Sequence, residues 1–415
     1  MDTSNAKVAI IGAGVSGLVA AINLEKTGIA PTVFEATDRV GGRVKTDYID
    51  GLTLDHGFQV MLTAYPATQK YLDYELLELE NFLPGAVLFE NGKSEVFGDP
   101  LRSTNFILPG IFGKQVPLSD KFKLLQLSNR LKKTSLDQIF TGTETSTIQY
   151  LKDEGFSDDA LDAFFYPFYT GIYLEDELRS SSKKFQFVYK MFSEGLAAIP
   201  KKGIQAIPNQ LYAQLQKTDF NFNEPVDKIE DQQVVLKNGR SYGFDYVITA
   251  ADASHLIANL SDQQTEWRSV HNLYFSVKNK VIDKKLIGLT NRKERAMINN
   301  LHYVQNIDSN SYLLSVSVVR DISISDKELI GLVKKELKQI TGIEVNELVK
   351  HYHIRKALPE MQSINYALRK TETQLKESMF MAGDYLSNGS LNAAMLNGEA
   401  AGKAVSEKIR NGIIN

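Results

Sequence analysis

Four residues near the start of the chain have the types and the spacing needed to bind a dinucleotide. Gly12, Gly14 and Gly17 form a GxGxxG pattern directly after an apolar run, which predicts a strand, a tight turn and a helix. Glu35 ends the next apolar run about 20 residues later, where a carboxylate accepts hydrogen bonds from an adenosine ribose. Gly12 suits the turn, Gly14 lets the backbone approach a pyrophosphate, and Gly17 lets the helix pack on the strand. Because the free N–H groups at the start of a helix attract phosphate, the pattern predicts a dinucleotide cofactor.

A second glycine cluster follows at once, with the sequence Arg39-Val40-Gly41-Gly42-Arg43. It resembles the RxGGR element of flavoproteins related to amine oxidases, phytoene desaturases and protoporphyrinogen oxidase. The resemblance implies that Gly41 and Gly42 cross the pyrophosphate of FAD. It also implies that Arg39 and Arg43 contact the pyrophosphate or brace the loop. A fold that binds only a nicotinamide cofactor has no use for this second turn, so the cluster favours FAD over NAD.

The end of the chain carries a matching signature. Gly383 and Asp384 end an apolar run, and the resemblance implies that this aspartate contacts the ribityl chain or the pyrophosphate side of the flavin. A carboxylate suits polyol hydroxyls because it only accepts hydrogen bonds. A small-residue segment from Ser390 then begins the last predicted helix, and Asn392 and Met395 are its predicted backbone contacts with the flavin. The N-terminus of this helix would stabilise the negative charge that a reduced flavin gathers at N1 and the C2 carbonyl.

The segment Asp55-His56-Gly57-Phe58-Gln59 resembles the D-x-G-x-[QH] element under the flavin in the same family. Gly57, Phe58 and Gln59 are therefore predicted cofactor contacts: Gly57 lets the backbone reach the ring, and the side chain of Gln59 can bond to it. His56 is a candidate general base. Removal of hydride from carbon needs no dedicated base, however, so no catalytic residue is assigned.

The middle of the chain supplies one further predicted contact. Residues 200–203 resemble the P-x-G-G segment that precedes a cofactor-facing helix in these flavoproteins, with Lys202 in place of the first glycine. In the accessory strands that follow, Val226 matches a valine whose backbone holds the adenine edge. Asn238-Gly239 predicts a hairpin turn in the same strands. A plain hairpin, with Val226 outside the site, is the alternative.

These residues must be positioned by elements from distant parts of the chain. The motifs recur at the start, middle and end, so we expect an α/β protein with a Rossmann-type FAD-binding domain of the glutathione-reductase kind, built from separated segments. Residues 1–65, 196–252 and 354–415 are predicted to form this domain. Residues 66–195 and 253–353 are predicted to form a mixed α+β substrate domain.

Within the substrate domain, apolar runs at Val277, at 312–319 and at 351–354 predict strands. Ser325, with Glu328 three residues later, predicts a capped amphipathic helix over 325–340. His351 and His353 share one strand face, but no acidic residue accompanies them at metal-ligand spacing. We therefore expect a structural pair and no metal site.

Two segments of the substrate domain are candidates for contact with an apolar molecule. Residues 164–173 form the densest aromatic run, which predicts a pocket for a flat or long apolar substrate, with plain core as the alternative. In residues 105–113, proline and glycine interrupt an apolar run, which suggests a membrane-facing or lid segment; a buried loop is the alternative.

Composition excludes several classes of function. The 415 residues carry a net charge of −3, which gives no electrostatic basis for nucleic-acid binding. The chain has no cysteine, which excludes disulfides, thiolate metal ligands and a cysteinyl-linked flavin, so we expect noncovalent FAD. Residues 8–24 are uncharged, but their glycine spacing favours a buried strand and helix over a membrane span. No basic stretch precedes them, so we expect a cytoplasmic protein, with peripheral contact to the inner face of the membrane left open.

The C-terminal signature indicates a branch of the family. Its AGDY motif and small-residue helix resemble plant-type phytoene and ζ-carotene desaturases, whereas amine oxidases usually place an aromatic cage residue where this chain has Ser390. We therefore expect removal of hydride from a substrate carbon to flavin N5. The expected substrate is an apolar unsaturated small molecule of the carotenoid or isoprenoid type, and the expected electron acceptor is oxygen or a quinone. The alternatives are a flavin amine oxidase that produces peroxide and a non-catalytic FAD-binding redox partner.

Overall fold

The computed structural model describes residues 6–98, 102–103, 114–320, 323–361 and 363–414. The candidate membrane-facing or lid segment at 105–113 lies outside the described residues. Within the part that is described, no helix is both long enough and apolar enough to cross a membrane.

The strands are numbered in chain order. They are β1 Val8–Ile11, β2 Thr32–Phe34, β3 Thr46–Ile49, β4 Leu52–Asp55, β5 Met61–Leu62, β6 Leu79–Asn81, β7 Gly85–Glu90, β8 Lys93–Gly98, β9 Ala197–Pro200, β10 Asp219–Asn221, β11 Val226–Glu230, β12 Gln233–Leu236, β13 Ser241–Gly243, β14 Tyr246–Thr249, β15 Trp267–Val277, β16 Ile287–Thr290, β17 Ile298–Asn306, β18 Tyr312–Val318, β19 Val345–Pro359 and β20 Met379–Met381.

The α-helices are numbered in the same way. They are α1 Val15–Glu25, α2 Pro66–Tyr71, α3 Leu118–Lys133, α4 Leu136–Thr141, α5 Thr147–Asp153, α6 Asp158–Ala160, α7 Tyr166–Tyr173, α8 Ser182–Glu194, α9 Ala206–Tyr212, α10 Asp326–Glu336 and α11 Leu391–Asn411. π-Helical turns Leu161–Phe165 and Leu337–Thr341 join α6 to α7 and extend α10.

A five-stranded parallel sheet, in the order β10-β2-β1-β14-β20, gathers strands from the start, middle and end of the chain. Successive residues of β1 face opposite sides of it, as the period of a strand requires. Val8 and Ile10 pack with α1 and α11 on one side. Ala9 and Ile11 pack against the antiparallel sheet β11-β12-β13 on the other. A parallel sheet covered on both faces is the α/β, Rossmann-type arrangement that the sequence predicts, whereas the exact domain boundaries stay a prediction.

Close contact between α1 and α11 depends on glycine. A Cβ atom on Gly398 would lie 2.3 Å from the carbonyl oxygen of Ser16, and one on Gly402 would lie 2.7 Å from that of Ala20. Both distances are shorter than any real contact, so only glycine allows the first and last long helices to meet backbone to backbone. This packing fixes the start of α11 beside the glycine-rich turn after β1.

A seven-stranded sheet, in the order β19-β15-β18-β17-β16-β7-β8, forms the second layer. Its strands include the runs predicted at Val277, 312–319 and 351–354, and α10 covers one face. Ser325 and Glu328 form the predicted capping box at the start of α10. The regular helix ends at Glu336, earlier than predicted, because a π-helical turn follows and Gly342 with φ +73° ends it. Helices α3, α4, α5, α7 and α8 form a separate aromatic-rich cluster beside this sheet.

Candidate cofactor site

Two glycine loops lie against each other at the carboxyl end of the parallel sheet. Gly12 has φ +103°, and a Cβ atom there would lie 3.3 Å from the carbonyl oxygen of Ala250. Gly41 donates its N–H to the carbonyl oxygen of Ala13 at 2.9 Å, and a Cβ atom on Gly42 would lie 3.2 Å from Cα of Gly14. These four glycines line one large cavity. Side chains in these loops would fill the cradle that a pyrophosphate needs, so the residues present fit a dinucleotide.

Gly17 allows close packing of α1 on the turn at Gly12 and does not form part of the cavity surface. A Cβ atom on Gly17 would lie 2.0 Å from the carbonyl oxygen of Gly12, so a larger residue would push α1 off the turn. Gly17 is not among the residues that line the cavity. Glycine at this position therefore sets where α1 lies, and the N-terminus of α1 faces the cradle.

The carboxylate of Glu35 is buried at the end of β2 and lines the cavity. Its Oε2 accepts a hydrogen bond from the backbone N–H of Ala13 at 2.8 Å. Its Oε1 accepts from the N–H and the hydroxyl of Thr37, at 2.9 and 2.8 Å. A carboxylate has about four acceptor sites, so Glu35 can brace the glycine-rich turn and still accept from a ribose hydroxyl.

The two arginines of the RxGGR segment point in different directions. Arg39 is absent from the cavity lining and forms an ion pair with Asp47 at 2.7 Å. Asp47 also bonds to His56 at 2.9 Å and accepts from the hydroxyl of Tyr352 at 2.8 Å. Burial raises the pKa of Asp47, but hydrogen bonds from Arg39, His56 and Tyr352 outweigh it and hold the pKa well below its usual range. Arg39 therefore braces the loop through Asp47, while the His56 imidazole is held by the same carboxylate.

Arg43 lies inside the cavity and connects the two ends of the chain. Its Nη2 donates to Oδ1 of Asp384, and its Nη1 donates to the carbonyl oxygen of Ala357 at 3.3 Å. Gly383 and Asp384 also line the cavity, and the aspartate is buried. The guanidinium lies 4.9 Å from the ring centroid of Trp267. The cavity therefore brings Arg43, Gly383 and Asp384 together, and their contacts with a flavin stay a prediction.

Trp267 is a cavity residue that no sequence motif indicated. It begins β15 and lines the cavity beside Arg43. Its indole Nε1 is buried, and within the described part of the chain it has no hydrogen-bond acceptor. A buried indole N–H normally finds a partner. The available signal was only that Trp267 is the single tryptophan of the chain.

The segment predicted to lie under the flavin lines the cavity with Gly57, Phe58 and Gln59. The Phe58 ring packs on the imidazole of His302, with centroids 4.3 Å apart. Burial and the nearby Lys285 lower the pKa of His302 to about 3, so this imidazole is neutral near pH 7. Gln59 donates from Nε2 to the carbonyl oxygens of Arg43 and His56, at 2.9 and 3.0 Å. These two hydrogen bonds hold the loop that carries Gln59. Because both are donated by Nε2, the Oε1 atom of Gln59 remains available to accept a hydrogen bond.

The start of α11 faces the cavity through residues other than the two predicted ones. Gly389, Ser390, Leu391 and Ala394 line the cavity, and the hydroxyl of Ser390 caps the helix by accepting from the N–H of Ala393 at 3.0 Å. The side chains of Asn392 and Met395 are fully buried, outside the lining. Asn392 Oδ1 accepts from the N–H of Ala67, and Met395 packs in the core beside β1. The predicted contacts of their backbone groups with a flavin stay a prediction.

Val226 also lies outside the cavity lining. It begins β11, pairs with Leu236 and packs beside the second face of the parallel sheet. Its predicted backbone contact with an adenine edge stays a prediction.

The cavity extends from the glycine cradle into a section lined by aromatic and aliphatic side chains. Its volume is about 1110 Å³. Phe164, Phe168, Tyr169 and Ile172 of the aromatic run line it, together with Phe192 of α8. Phe165 and Tyr173 are buried in the helical cluster instead. The aromatic run therefore lies partly in the core and partly at the cavity wall, and Tyr169 belongs to both, whereas its contact with an apolar substrate stays a prediction.

Among the described residues, three cationic side chains join the aromatic ones in the cavity lining: Arg102, Lys121 and Lys184. Lys184 is buried, its Nζ lies 5.5 Å from the Tyr173 ring centroid, and no carboxylate of the described residues lies within ion-pair distance. Burial and the neighbouring Arg268 lower the pKa of Lys184 to about 8, against the attraction of Asp384 and Glu175. Sequence reasoning missed Lys184. Its place among the apolar residues of the amphipathic α8 was the available signal.

Residues 15–406 match the family model described as flavin containing amine oxidoreductase. The chain is 46% identical over 70 residues to protoporphyrinogen oxidase 2, chloroplastic/mitochondrial, of Arabidopsis thaliana, covering 17% of this chain and 14% of that protein. It is 30% identical over 276 residues to an L-amino-acid oxidase of Bungarus fasciatus, covering 60% of this chain and 51% of that protein. The aligned parts thus span about half, or less, of the length of these curated relatives.

A solved structure shares the fold along nearly the whole chain. It is a protein from Exiguobacterium sp. 255-15, provisionally assigned as a protoporphyrinogen oxidase, with a TM-score of 0.69, 18% identity, and coverage of 98% of this chain and 99% of that chain. The family match confirms the predicted FAD cofactor and the predicted class of FAD-dependent oxidoreductase, and the solved structure confirms the predicted fold. The family model matches residues 15–406, which is most of the sequence. The chain therefore belongs to the flavin containing amine oxidoreductase family.

Proposed function

We propose that the protein is an FAD-dependent dehydrogenase or desaturase that removes hydride from a carbon of an apolar, unsaturated small molecule of the carotenoid or isoprenoid type. The observation that carries the proposal is the shape of the cavity. One continuous space of about 1110 Å³ runs from the glycine cradle to an aromatic section. Ligand pockets usually measure about 300–1000 Å³, so this cavity is at the large end, and its aromatic section beyond the glycine cradle favours a bound substrate over cofactor binding alone.

The residues that would hold FAD are those that meet at the cradle. Gly12, Gly14, Gly41, Gly42 and Arg43 would hold the pyrophosphate, Glu35 the ribose, and Asp384 the ribityl side. The absence of cysteine supports noncovalent attachment. When bound, FAD supplies a hydride acceptor at flavin N5 and passes electrons to oxygen, a quinone or another acceptor.

The substrate section of the cavity would act by binding and by excluding water. Phe164, Phe168 and Phe192 offer apolar faces to a polyene, and burial of each aromatic ring contributes about 1.5–3 kcal/mol where it is removed from water. The proposed chemistry takes hydride from one carbon and a proton from its neighbour. The neighbouring C–H of the resulting conjugated cation is acidic and loses its proton late, to solvent, so no base is assigned at hydrogen-bond distance. Orientation by shape and exclusion of water are what these side chains can provide.

A flavin amine oxidase is the second candidate, because the family model and the L-amino-acid oxidase relative both bear amine-oxidising names. The charges that line the substrate section argue against a small cationic amine. Of the described residues, Arg102, Lys121 and Lys184 bring positive charge to the cavity lining, which disfavours an alkylammonium ion beside them. Among the carboxylates of the lining, Asp384 pairs with Arg43 and Glu35 braces the glycine-rich turn. Ser390 at the start of α11 also cannot form an aromatic cage wall.

The test is anaerobic reduction of the purified flavoprotein. Oxidised-flavin absorbance is followed while carotenoid and isoprenoid substrates in mixed micelles, and separately primary amines and amino acids, are added. We expect bleaching by the polyene or isoprenoid class. Ile172→Gln, inside the cavity, should slow that bleaching, whereas Leu332→Gln, on the exposed face of α10, should not. Bleaching by amines alone would overturn the proposal.

A further inference from the structure

Three side chains with metal-binding atoms meet at the outer part of the seven-stranded sheet. They are His271 of β15, His351 of β19 and Asp326, the first residue of α10. One ligand atom from each residue lies within 4.8 Å of the other two. Nδ1 of His271 lies 2.9 Å from Nε2 of His351, and Oδ2 of Asp326 lies 3.7 Å from Nδ1 of His351. None of the three lines the cofactor cavity.

The strand register explains how the two imidazoles meet. In the antiparallel pair β15/β19, His271 lies opposite His353, and Leu273 lies opposite His351. His351 is therefore the diagonal neighbour of His271 on one face, within reach of a long side chain. His353 stacks on His271 with ring centroids 4.0 Å apart, which limits how far that ring can turn. The two facing nitrogens are so close that a proton or a metal ion must lie between their lone pairs.

The acidic residue comes from a third element. Sequence spacing offered no acidic partner for His351 and His353, because Asp326 enters from the start of α10 and not from the strand. The capping box of α10 uses Ser325 and Glu328, so the carboxylate of Asp326 is not needed as the cap. Its side chain is 70% exposed, so it can rotate towards an ion held by the histidines.

We propose that His271, His351 and Asp326 bind a divalent transition-metal ion of the zinc type. Two imidazole nitrogens and one carboxylate oxygen are a ligand set typical of zinc, with bonds of about 2.0–2.2 Å that place donor atoms about 3.3 Å apart in a tetrahedron. The two facing imidazole nitrogens are 2.9 Å apart, and all three ligand atoms lie within 4.8 Å of one another, so small side-chain movements reach that geometry. A single ion takes Nε2 of His351 together with Nδ1 of His271, and water completes the coordination.

Such an ion would join three elements of the substrate layer. It connects the start of α10 to the neighbouring strands β15 and β19, whose pairing forms one side of the seven-stranded sheet. An ion that binds only the folded state stabilises it by mass action. Because none of the three ligands lines the cofactor cavity, metal binding should raise thermal stability without changing the flavin spectrum.

The experiment titrates the flavin-loaded protein, freed of any affinity tag and treated with EDTA, with Zn²⁺. Calorimetry gives the stoichiometry and the affinity of Zn²⁺ binding. The melting temperature shows how much the bound ion stabilises the folded protein. The visible spectrum of Co²⁺, added in place of Zn²⁺, reports the coordination geometry. We expect one saturable site and a higher melting temperature. His271→Ala and His351→Ala should each weaken affinity at least tenfold, and Asp326→Asn less. His255→Ala, which removes an exposed histidine elsewhere, should have no effect.

Two results would overturn the proposal. One is the lack of saturable Zn²⁺ binding by the wild-type protein. The other is binding that His271→Ala and His351→Ala leave unchanged, which would assign the ion to other surface groups. If an alanine variant loses the flavin spectrum or the far-UV circular dichroism signal of the folded protein, His271→Asn and His351→Gln replace it, because they keep a polar side chain of similar size. Loss of affinity in those variants supports the site, and unchanged affinity rejects it.

Discussion

Arg43 and Asp384 form an ion pair between residues that lie 341 positions apart in the sequence. Arg43 belongs to the second glycine loop, and Asp384 follows β20, the edge strand of the parallel sheet. The aspartate is largely buried, with 9% of its side chain exposed, whereas 38% of the arginine is exposed. The pair therefore fixes the two ends of the chain against each other at the wall of the cofactor cavity.

Breaking this pair should weaken retention of FAD. Arg43→Ala leaves the Asp384 carboxylate buried without its cation, and a lost charged hydrogen bond costs about 1.5–3 kcal/mol, or roughly 10- to 100-fold in affinity. Asp384→Asn keeps an acceptor and should cost less. Flavin fluorescence during dialysis measures the affinity. A double-mutant cycle with both substitutions gives the coupling, and additive effects would show that the pair does not act on the cofactor as one unit.

Removal of the Glu35 carboxylate should also weaken FAD binding, by about 1.5–3 kcal/mol. The physical reason has two parts, because Glu35 accepts from Ala13 and Thr37 and also offers a site to a ribose hydroxyl. Thr37→Val is the matched control, since it removes one hydrogen bond to Glu35 and keeps the carboxylate. We expect Glu35→Ala to lower flavin content after dialysis far more than Thr37→Val. Equal losses would assign Glu35 to loop structure alone.

Two helical glycines offer a direct test of packing between α1 and α11. Gly398→Ala places a Cβ atom 2.3 Å from the carbonyl oxygen of Ser16, and overpacking of this kind costs about 1–3 kcal/mol. Gly331→Ala in α10 meets no atom within 4 Å, so higher helix propensity should stabilise the protein by about 0.5–1 kcal/mol. Urea denaturation of the two variants should therefore give free-energy changes of opposite sign. A neutral Gly398→Ala would mean that the helices can separate freely.

The parts predicted best from the sequence are those in which backbone geometry demands a particular residue. Gly12 and Gly41 have positive φ, and a local motif can therefore report them. Side-chain direction is a different matter. Arg39 and Arg43 flank the same glycines, but only the fold turns one towards Asp47 and the other into the cavity. Trp267 and Lys184 reach the cavity from β15 and α8, and a one-dimensional pattern does not record that approach.

The buried ammonium of Lys184 should make stability depend on pH above neutrality. Burial lowers its pKa from 10.5 to about 8, so the unfolded chain binds more protons between those values. The folded state therefore gains stability as pH rises from about 8 to 10.5, and below pH 8 the full cost of burying the charge applies. Lys184→Met removes that cost and fits an apolar site, so it should stabilise the protein at pH 7 by on the order of 2–3 kcal/mol.

The measurement is urea denaturation of the flavin-loaded Lys184→Met variant and wild type at pH 7 and at several higher values. The stability difference should be largest at pH 7 and should shrink as the wild-type lysine loses its proton. Lys327→Met, at an exposed position of α10, is the matched control and should change stability little at any pH. A difference that grows with pH, or a variant less stable than wild type at pH 7, would show that Lys184 is stabilised as a cation where it lies. That outcome would also weaken the argument that the apolar section of the cavity repels alkylammonium substrates.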